Sequence, residues 1–130
     1  MAEENVEIVR RFFAALNRSH AEGVFPADLF DPAVEFDFSR RLVDPGVYRG
    51  VDEVRRWVDE ERAIYGAIEI VPHEVTVVGE TLIASVMARG IGTRSGAKVE
   101  ALVVNALTFR DGRLLRLEYF GDREAALRAE

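Results

Sequence analysis

The sequence predicts a single α+β domain in which a curved, mostly antiparallel sheet wraps around N-terminal helices. Three observations support this fold class. The 130 residues are enough for one hydrophobic core and too few for two independent cores. Apolar residues recur at helical spacing in the first half of the chain, whereas from residue 68 onward they follow strand periodicity. No helical segment separates these later strands, which argues against a doubly wound parallel sheet.

The first half of the chain carries two amphipathic patterns. Val6, Val9 and Phe13 recur at helical spacing, and a similar stripe in the later helix consists of Val54, Trp57, Val58, Glu61 and Tyr65. The predicted elements are a helix over residues 3–18, a short helix over residues 23–30 interrupted by Pro26, a strand over residues 34–39, a loop over residues 40–50 and a helix from Val51 that stops at Gly66.

The second half reads as consecutive β-hairpins. Asp111-Gly112 is the strongest turn signal, because a tight hairpin turn needs positive φ angles that glycine adopts without steric cost. Asp122 is expected to cap a final helix over residues 123–129. The predicted strands cover residues 68–78, 82–89, 99–109 and 114–120.

Composition excludes several classes of function. The net charge of −6 argues against nonspecific binding to nucleic acid, since a phosphate backbone is bound mainly through clustered Lys and Arg. The chain has no cysteine, which excludes disulfide bonds, thiolate nucleophiles and cysteine-ligated zinc. Residues 1–20 lack the apolar core of a signal peptide, and no run is long enough to span a bilayer. We expect a cytoplasmic protein with no nucleic-acid or membrane partner.

The third strand of the predicted meander is apolar on both faces. One row runs from Val99 to Phe109, and the other contains Leu102 and Val104. Because the helices of so small a chain can cover only one side of a sheet, the second face predicts a homodimer formed through the outer face of the sheet. The alternative is that helices and loops of the same chain cover both faces.

Asn105 interrupts one apolar row and is the first candidate for a binding group. An amide that finds no partner there loses about 1–3 kcal/mol, so Asn105 is either a structural clasp, which the pattern favours, or a ligand contact. Tyr119 lies on the presumed inner row of the last strand, whereas Arg116 and Glu118 lie opposite, toward a subunit contact or solvent. Simple alternation places Asp37 on an exposed row.

Five segments of the chain form a recognisable series: residues 9–17, Leu29-Phe30 with residues 34–37, residues 48–50, residues 108–114 and residues 119–122. In this order they resemble the SnoaL-like and ketosteroid-isomerase-like branch of the nuclear transport factor two superfamily. The resemblance covers essentially the whole chain and implies a cone-shaped α+β barrel with one internal pocket, usually dimeric. The superfamily includes isomerases, cyclases, dehydratases and epoxide hydrolases, and also proteins with no known activity.

Carried over position by position, the resemblance implies two catalytic residues. Asp37 lies where the steroid isomerases keep their carboxylate base, and Asn105 lies where they keep a protonated acid in the oxyanion hole. Phe12 takes the place of their hydroxyl-donating tyrosine, so Asn105 alone would supply a weaker donor. Arg89 is not followed by the aspartate that the epoxide hydrolases require. The residues implied to bind substrate are Phe12, Trp57, Ser85, Met87, Arg89, Leu117 and Tyr119.

The resemblance moves Asp37 from the exposed row to the pocket mouth. Desolvation there would raise its pKa and suit a base acting on a carbon acid, whereas contact with Arg89 would lower the pKa and make a structural ion pair. His20 is expected to cap or follow the first helix and His73 to lie at the surface, neither at metal-ligand spacing, so no metal or cofactor is expected.

Two functions remain open at this point. The first is acid–base catalysis by an isomerase, cyclase or dehydratase acting on a cyclic carbonyl compound, with Arg89 contacting an anion or carbonyl. The second is a noncatalytic protein of the same fold that binds a small apolar ligand or serves as a dimeric scaffold.

Overall fold

A computed structural model of the protein describes residues 2–42 and 44–129. Within this range the chain forms three α-helices, six strands and one short 3-10 turn at Ala27–Leu29. In chain order these helices and strands are α1 (Ala2–Glu22), β1 (Phe30–Asp37), β2 (Val47–Arg49), α2 (Gly50–Ile64), β3 (Tyr65–Val78), β4 (Thr81–Gly92), β5 (Lys98–Arg110), β6 (Arg113–Phe120) and α3 (Arg123–Ala129).

The six strands form one mixed sheet in the order β2-β1-β6-β5-β4-β3. Only β1 and β6 pair in parallel among the described strands, and the remaining pairs are antiparallel. The sheet has two free edges, β2 and β3, and therefore stays open and does not close into a barrel. In the part of the chain that the structure describes, no helix is both long and apolar enough to cross a bilayer.

Both long helices pack on the sheet, α1 against β3 and α2 against β1. Asn17 fixes the first of these contacts, because its Nδ2 donates to the Ile70 carbonyl at 2.8 Å and its Oδ1 accepts from the Ile70 N–H at 2.8 Å. The core between helices and sheet is strongly aromatic. Phe36 and Phe38 of the β1 region both contact the Trp57 ring, at centroid distances of 5.5 and 4.8 Å.

The predicted meander and final helix are confirmed. Asp111 and Gly112 have φ angles of 52° and 79°, as the hairpin turn requires. Asp122 Oδ1 accepts from the Ala125 N–H at 2.8 Å and caps α3. Two predictions are wrong: residues 23–30 contain only a 3-10 turn, and the loop over residues 40–50 contains β2, a three-residue edge strand too short to show a periodicity.

Helix α3 covers part of the outer face of the sheet. Its Ala126 is fully buried against a second, smaller cluster that includes Ile83, Val104 and Phe120. The same chain therefore covers this part of the second apolar face, as the alternative to dimerisation supposed. Leu102 lies beyond the cluster and is 61% exposed. The homodimer stays a prediction.

Candidate functional site

A cavity of about 300 Å³ lies between the inner face of the sheet and helices α1 and α2. Its walls are mostly apolar and aromatic, as in small-molecule pockets generally. Each strand from β4 to β6 and both long helices contribute side chains to it. The lining residues that carry a charged or polar group are His20, Arg41, Trp57, Glu61, Tyr65, Arg89, Asn105 and Tyr119.

Asn105 and Tyr119 stand opposite each other on β5 and β6, and both line the cavity. Asn105 is only 6% exposed as a residue, and its amide makes no hydrogen bond within the described chain. Because no fully enclosed polar side-chain atom of the described residues lacks a partner, the amide must open onto the cavity. Its neighbours on the same row, Val103 and Leu107, are apolar. The clasp that the sequence pattern favoured is therefore not formed within the described chain, and the amide is left to contact whatever enters the cavity.

Trp57 and Leu117 also line the cavity, as the resemblance implied. Trp57 is the only tryptophan of the chain. Its ring stacks on Phe38 with an interplanar angle of 27° and meets Phe36 edge-on at 71°. These rings form an aromatic wall on the side of α2, in which Phe36 stands nearly perpendicular to the other two rings.

Ser85 and Met87 do not line the cavity, contrary to the carried-over assignment. The pairing of β4 with β5 explains the error, because Ala84 stands opposite Asn105 and Val86 opposite Val103, so the other row of β4 faces inward. Arg89 borders the cavity at its exposed end. Its guanidinium is paired with Glu100 at 3.3 Å and Glu69 at 3.7 Å and does not approach Asp37.

Phe12 lies in the aromatic core and not in the cavity wall. It is 5% exposed and meets Phe13, Phe30 and Phe109 edge-on at centroid distances of 5.2, 6.0 and 5.7 Å. Its neighbour Phe13 lines the cavity instead. Consecutive helical residues point about 100° apart, so both cannot face the same space.

Asp37 lies on the outer face of the sheet. The expectation that it stands at the pocket mouth is therefore wrong. Strand alternation decides this, because Phe36 and Phe38 take the cavity side. Asp37 Oδ1 accepts from the Ser39 N–H at 2.9 Å, and Oδ2 lies 3.3 Å from Arg116 Nη2. Burial alone would raise the pKa of Asp37, but the Ser39 hydrogen bonds and the charges of Arg116 and Arg40 outweigh it and lower the pKa. The ion pair exists, with Arg116 in place of Arg89.

Glu61 is the carboxylate that the structure does place in the cavity wall. It lies one helical turn after Trp57 on α2, and its Oε1 is 3.9 Å from Arg41 Nη1. Burial raises the pKa of Glu61 above its usual value, and the charge of Arg41 opposes this only in part. A signal was present in the sequence, since Glu61 stands within the apolar stripe of this helix.

His20 also lines the cavity, near the end of α1. Arg62 Nε donates to its Nδ1 at 3.4 Å, while Arg62 Nη2 is anchored on the carbonyls of Ser19 and Val24. Burial, and then the positive charge of Arg62, lower the pKa of His20. A neutral imidazole that accepts at Nδ1 carries its proton on Nε2. Among the described residues, no group of three or more His, Asp and Glu could hold a metal ion.

Comparison with known proteins gives a family. The chain matches the SnoaL-like domain over residues 9–117. This protein belongs to the SnoaL-like family. A comparison with curated proteins gives no match.

Solved structures similar to this SnoaL-like protein share its fold at low identity. The epoxide hydrolase/cyclase-like enzyme SalBIII, with a role in pyran ring formation in the polyether salinomycin, is 15% identical with a TM-score of 0.74 over 95% of this chain and 94% of that one. TerC, co-crystallised with polyporic acid, is 19% identical with a TM-score of 0.70 over 96% of this chain and 95% of TerC. A hypothetical protein of Catenulispora acidiphila DSM 44928 with a ketosteroid isomerase-like fold, in complex with trimethylamine, is 13% identical with a TM-score of 0.71 over 88% and 84%.

The resemblance seen in the sequence is thus confirmed for both family and fold. The neighbour SalBIII is described as epoxide hydrolase/cyclase-like, and at 15% identity it shares the fold with this chain.

Proposed function

We propose that this SnoaL-like protein is a cofactor-independent isomerase or cyclase acting on a small, largely apolar substrate with a ring carbonyl. The observation that carries the proposal is Asn105, whose amide makes no hydrogen bond within the described chain and faces a mostly apolar cavity. A primary amide donates to a carbonyl oxygen and holds it more strongly as negative charge develops on the oxygen. A carbonyl bound there would also give the Asn105 amide a hydrogen-bond partner that the described chain does not supply.

The shape and polarity of the cavity suit such a substrate. A volume of about 300 Å³ lies at the small end of ligand pockets. The wall formed by Phe36, Phe38 and Trp57 is aromatic and apolar, and it suits contact with an apolar ring. The hydroxyl of Tyr119, across the strand pair from Asn105, offers a second donor. The role of the similar SalBIII in forming a pyran ring and the co-crystallisation of TerC with polyporic acid agree with a small organic substrate.

A noncatalytic binder is the second candidate, and one observation favours it. Asp37, the base implied by the resemblance, lies outside the cavity in an ion pair. A binder would hold the same ligand through Asn105 and Tyr119 without moving a proton. Turnover therefore separates the two candidates, whereas binding alone does not.

The first experiment measures binding of 2-naphthol, a planar mimic of an enol, through the fluorescence of Trp57. We expect Asn105→Leu to weaken binding about tenfold, since one hydrogen bond to a buried donor is worth about 1.4 kcal/mol. Ser85→Ala is the matched control, because Ser85 lies on the neighbouring strand but faces away from the cavity. Equal affinities of wild type and Asn105→Leu for 2-naphthol would show that Asn105 does not hold the ligand.

The second experiment measures exchange of the α-protons of 2-tetralone in D₂O by NMR. An isomerase or cyclase that forms an enolate accelerates this exchange above the buffer rate. Binding of 2-naphthol with no acceleration would favour the noncatalytic binder. If the protein neither binds 2-naphthol nor accelerates the exchange of 2-tetralone, the proposed carbonyl-binding pocket is refuted.

A further inference from the structure

We infer that Glu61 is the group that carries the proton in this cavity, working from helix α2 in the role that the resemblance gave to Asp37 on the sheet. The inference rests on the proposed function and names the residue that performs its proton transfer. No feature of the sequence resemblance points to Glu61, and the assignment comes from the geometry of α2 alone.

The spacing along α2 aims Glu61 at the cavity. Val54 and Val58 are fully buried on the face of the helix that packs on the sheet. Trp57 and Glu61 are four residues apart and therefore neighbours on one side of the helix, and both line the cavity. Among the described residues Glu61 is the single carboxylate in that lining, so any carboxylate chemistry in the cavity falls to it.

Its surroundings leave the carboxylate free to exchange a proton. The side chain is 22% exposed, and its nearest cation, Arg41 at 3.9 Å, is too distant for a hydrogen bond. Other shielded carboxylates of the fold are tied up more closely: Glu118 lies 2.6 Å from Arg40, and Asp31 lies 2.7 Å from Arg110. A tightly paired carboxylate is a poor base, whereas a loosely paired and desolvated one is a better base.

The charges around Glu61 act in the same direction on balance. Burial is the largest influence and raises its pKa, Arg41 lowers it, and the negative charges of Asp44 and Glu60 raise it further. Across the cavity, α1 presents His20, whose pKa is lowered and which is therefore neutral at neutral pH. A carboxylate with a raised pKa is a stronger base once it is ionised, as proton abstraction from carbon requires.

The proposed proton transfer balances in atoms and electrons without a co-reactant. The Glu61 carboxylate takes a proton from the carbon beside the carbonyl, so that a C–H bond breaks and a carboxyl O–H bond forms. The electron pair moves onto the carbonyl oxygen, which becomes an enolate oxygen accepting from Asn105 Nδ2. Return of the proton to a different carbon of the enolate completes an isomerisation and restores the Glu61 carboxylate.

A matched pair of substitutions on one helix tests the assignment. Glu61→Gln and Glu60→Gln make the same chemical change at adjacent positions, but Glu60 points to solvent with its carboxylate 3.8 Å from Arg56. We expect Glu61→Gln to slow exchange of 2-tetralone α-protons by about 10²- to 10⁴-fold while 2-naphthol still binds. Because the charge of Glu60 is the smallest of the four influences on the Glu61 pKa, we expect Glu60→Gln to change the exchange rate by less than about threefold. In wild type, the rate should rise with pH through a midpoint above the usual glutamate value of 4.5.

The outcomes separate the two proposals. If Glu61→Gln exchanges as fast as wild type, or if Asp37→Asn alone abolishes exchange, Glu61 is not the base although the proposed function stands. If wild type shows no exchange at all, the proposed catalytic function fails and the assignment of Glu61 fails with it. A wild-type rate that does not change with pH across the titration of a carboxylate would also overturn the assignment.

Discussion

Glu118 offers the sharpest test of how the sheet holds the cavity wall in place. Its side chain is 8% exposed, its Oε2 lies 2.6 Å from Arg40 Nη1 and its Oε1 lies 3.1 Å from Arg116 Nη1. Glu118 stands opposite Asp37 in the one parallel pair of the described sheet, and it is followed by Tyr119 of the cavity. Glu118→Gln keeps the shape but turns one accepting oxygen into an NH₂ group that faces a guanidinium.

The expected cost follows from the exposure of the two partners. Breaking a fully buried ion pair costs about 3–5 kcal/mol because a charge is left without water or a partner. Arg40 and Arg116 are 45% and 43% exposed, so water can solvate them again after the substitution. We therefore expect Glu118→Gln to lower the free energy of unfolding by about 2 kcal/mol, below the range for a fully buried pair.

Urea denaturation followed by Trp57 fluorescence and far-UV circular dichroism measures this difference. A loss of about 2 kcal/mol corresponds to a fall in Tm of roughly 8 °C for a chain of this length. Glu124→Gln is the control, since Glu124 is 87% exposed and pairs with Arg128 only at 3.7 Å within α3; it should change stability by less than about 0.5 kcal/mol. Equal stabilities of Glu118→Gln and Glu124→Gln would refute the reasoning.

Two further predictions concern the core and the cavity rim. Leu107→Ala, at a fully buried position of β5, should lower the free energy of unfolding by about 2–5 kcal/mol in urea denaturation, and a smaller loss would mean that the core collapses into the gap. Burial lowers the pKa of His20, so the folded state binds fewer protons there than the unfolded state does. The contribution of neutral His20 to the free energy of unfolding is therefore complete above about pH 6.5, and it is lost as the pH falls from 6.5 through the lowered pKa. His20→Gln should flatten this dependence in a series of urea titrations, and an unchanged slope would contradict it.

The sequence predicted the sheet better than the site because the signals for the sheet are local. The Asp111-Gly112 turn and the alternating strands depend on neighbouring residues alone, and the structure confirms them. Asn105 was found for the same reason, as a polar residue in an apolar row. By contrast, the bulge between Thr108 and Phe109 in the β5–β6 register places Leu114 in the core together with Leu117, three residues along, and period-two alternation cannot show such a shift.

Asp37 and Glu61 show why the carboxylate of the cavity wall was not identified from the sequence. Alternation along β1 put Asp37 on the exposed row and was correct, whereas position-by-position transfer from distant relatives moved it inward and was wrong. Transfer by position assumes that a strand keeps its facing, and a difference of one residue reverses every side chain. Glu61 sat in the apolar stripe of α2, but a single charged residue in such a stripe identifies a cavity only when the opposite wall is known.

The opposite wall is the sheet, and this arrangement determines how the site can work. Glu61 reaches the cavity from α2 and Asn105 reaches it from β5, so the separation between these two polar side chains depends on how α2 packs on the sheet. Part of that packing is made by the Trp57 ring against Phe36 and Phe38, and all three rings belong to the cavity wall. A ligand that lies on this wall therefore contacts the same side chains that set the distance between the two polar groups. Binding and alignment of the reacting groups are consequently coupled through the aromatic contacts of Trp57.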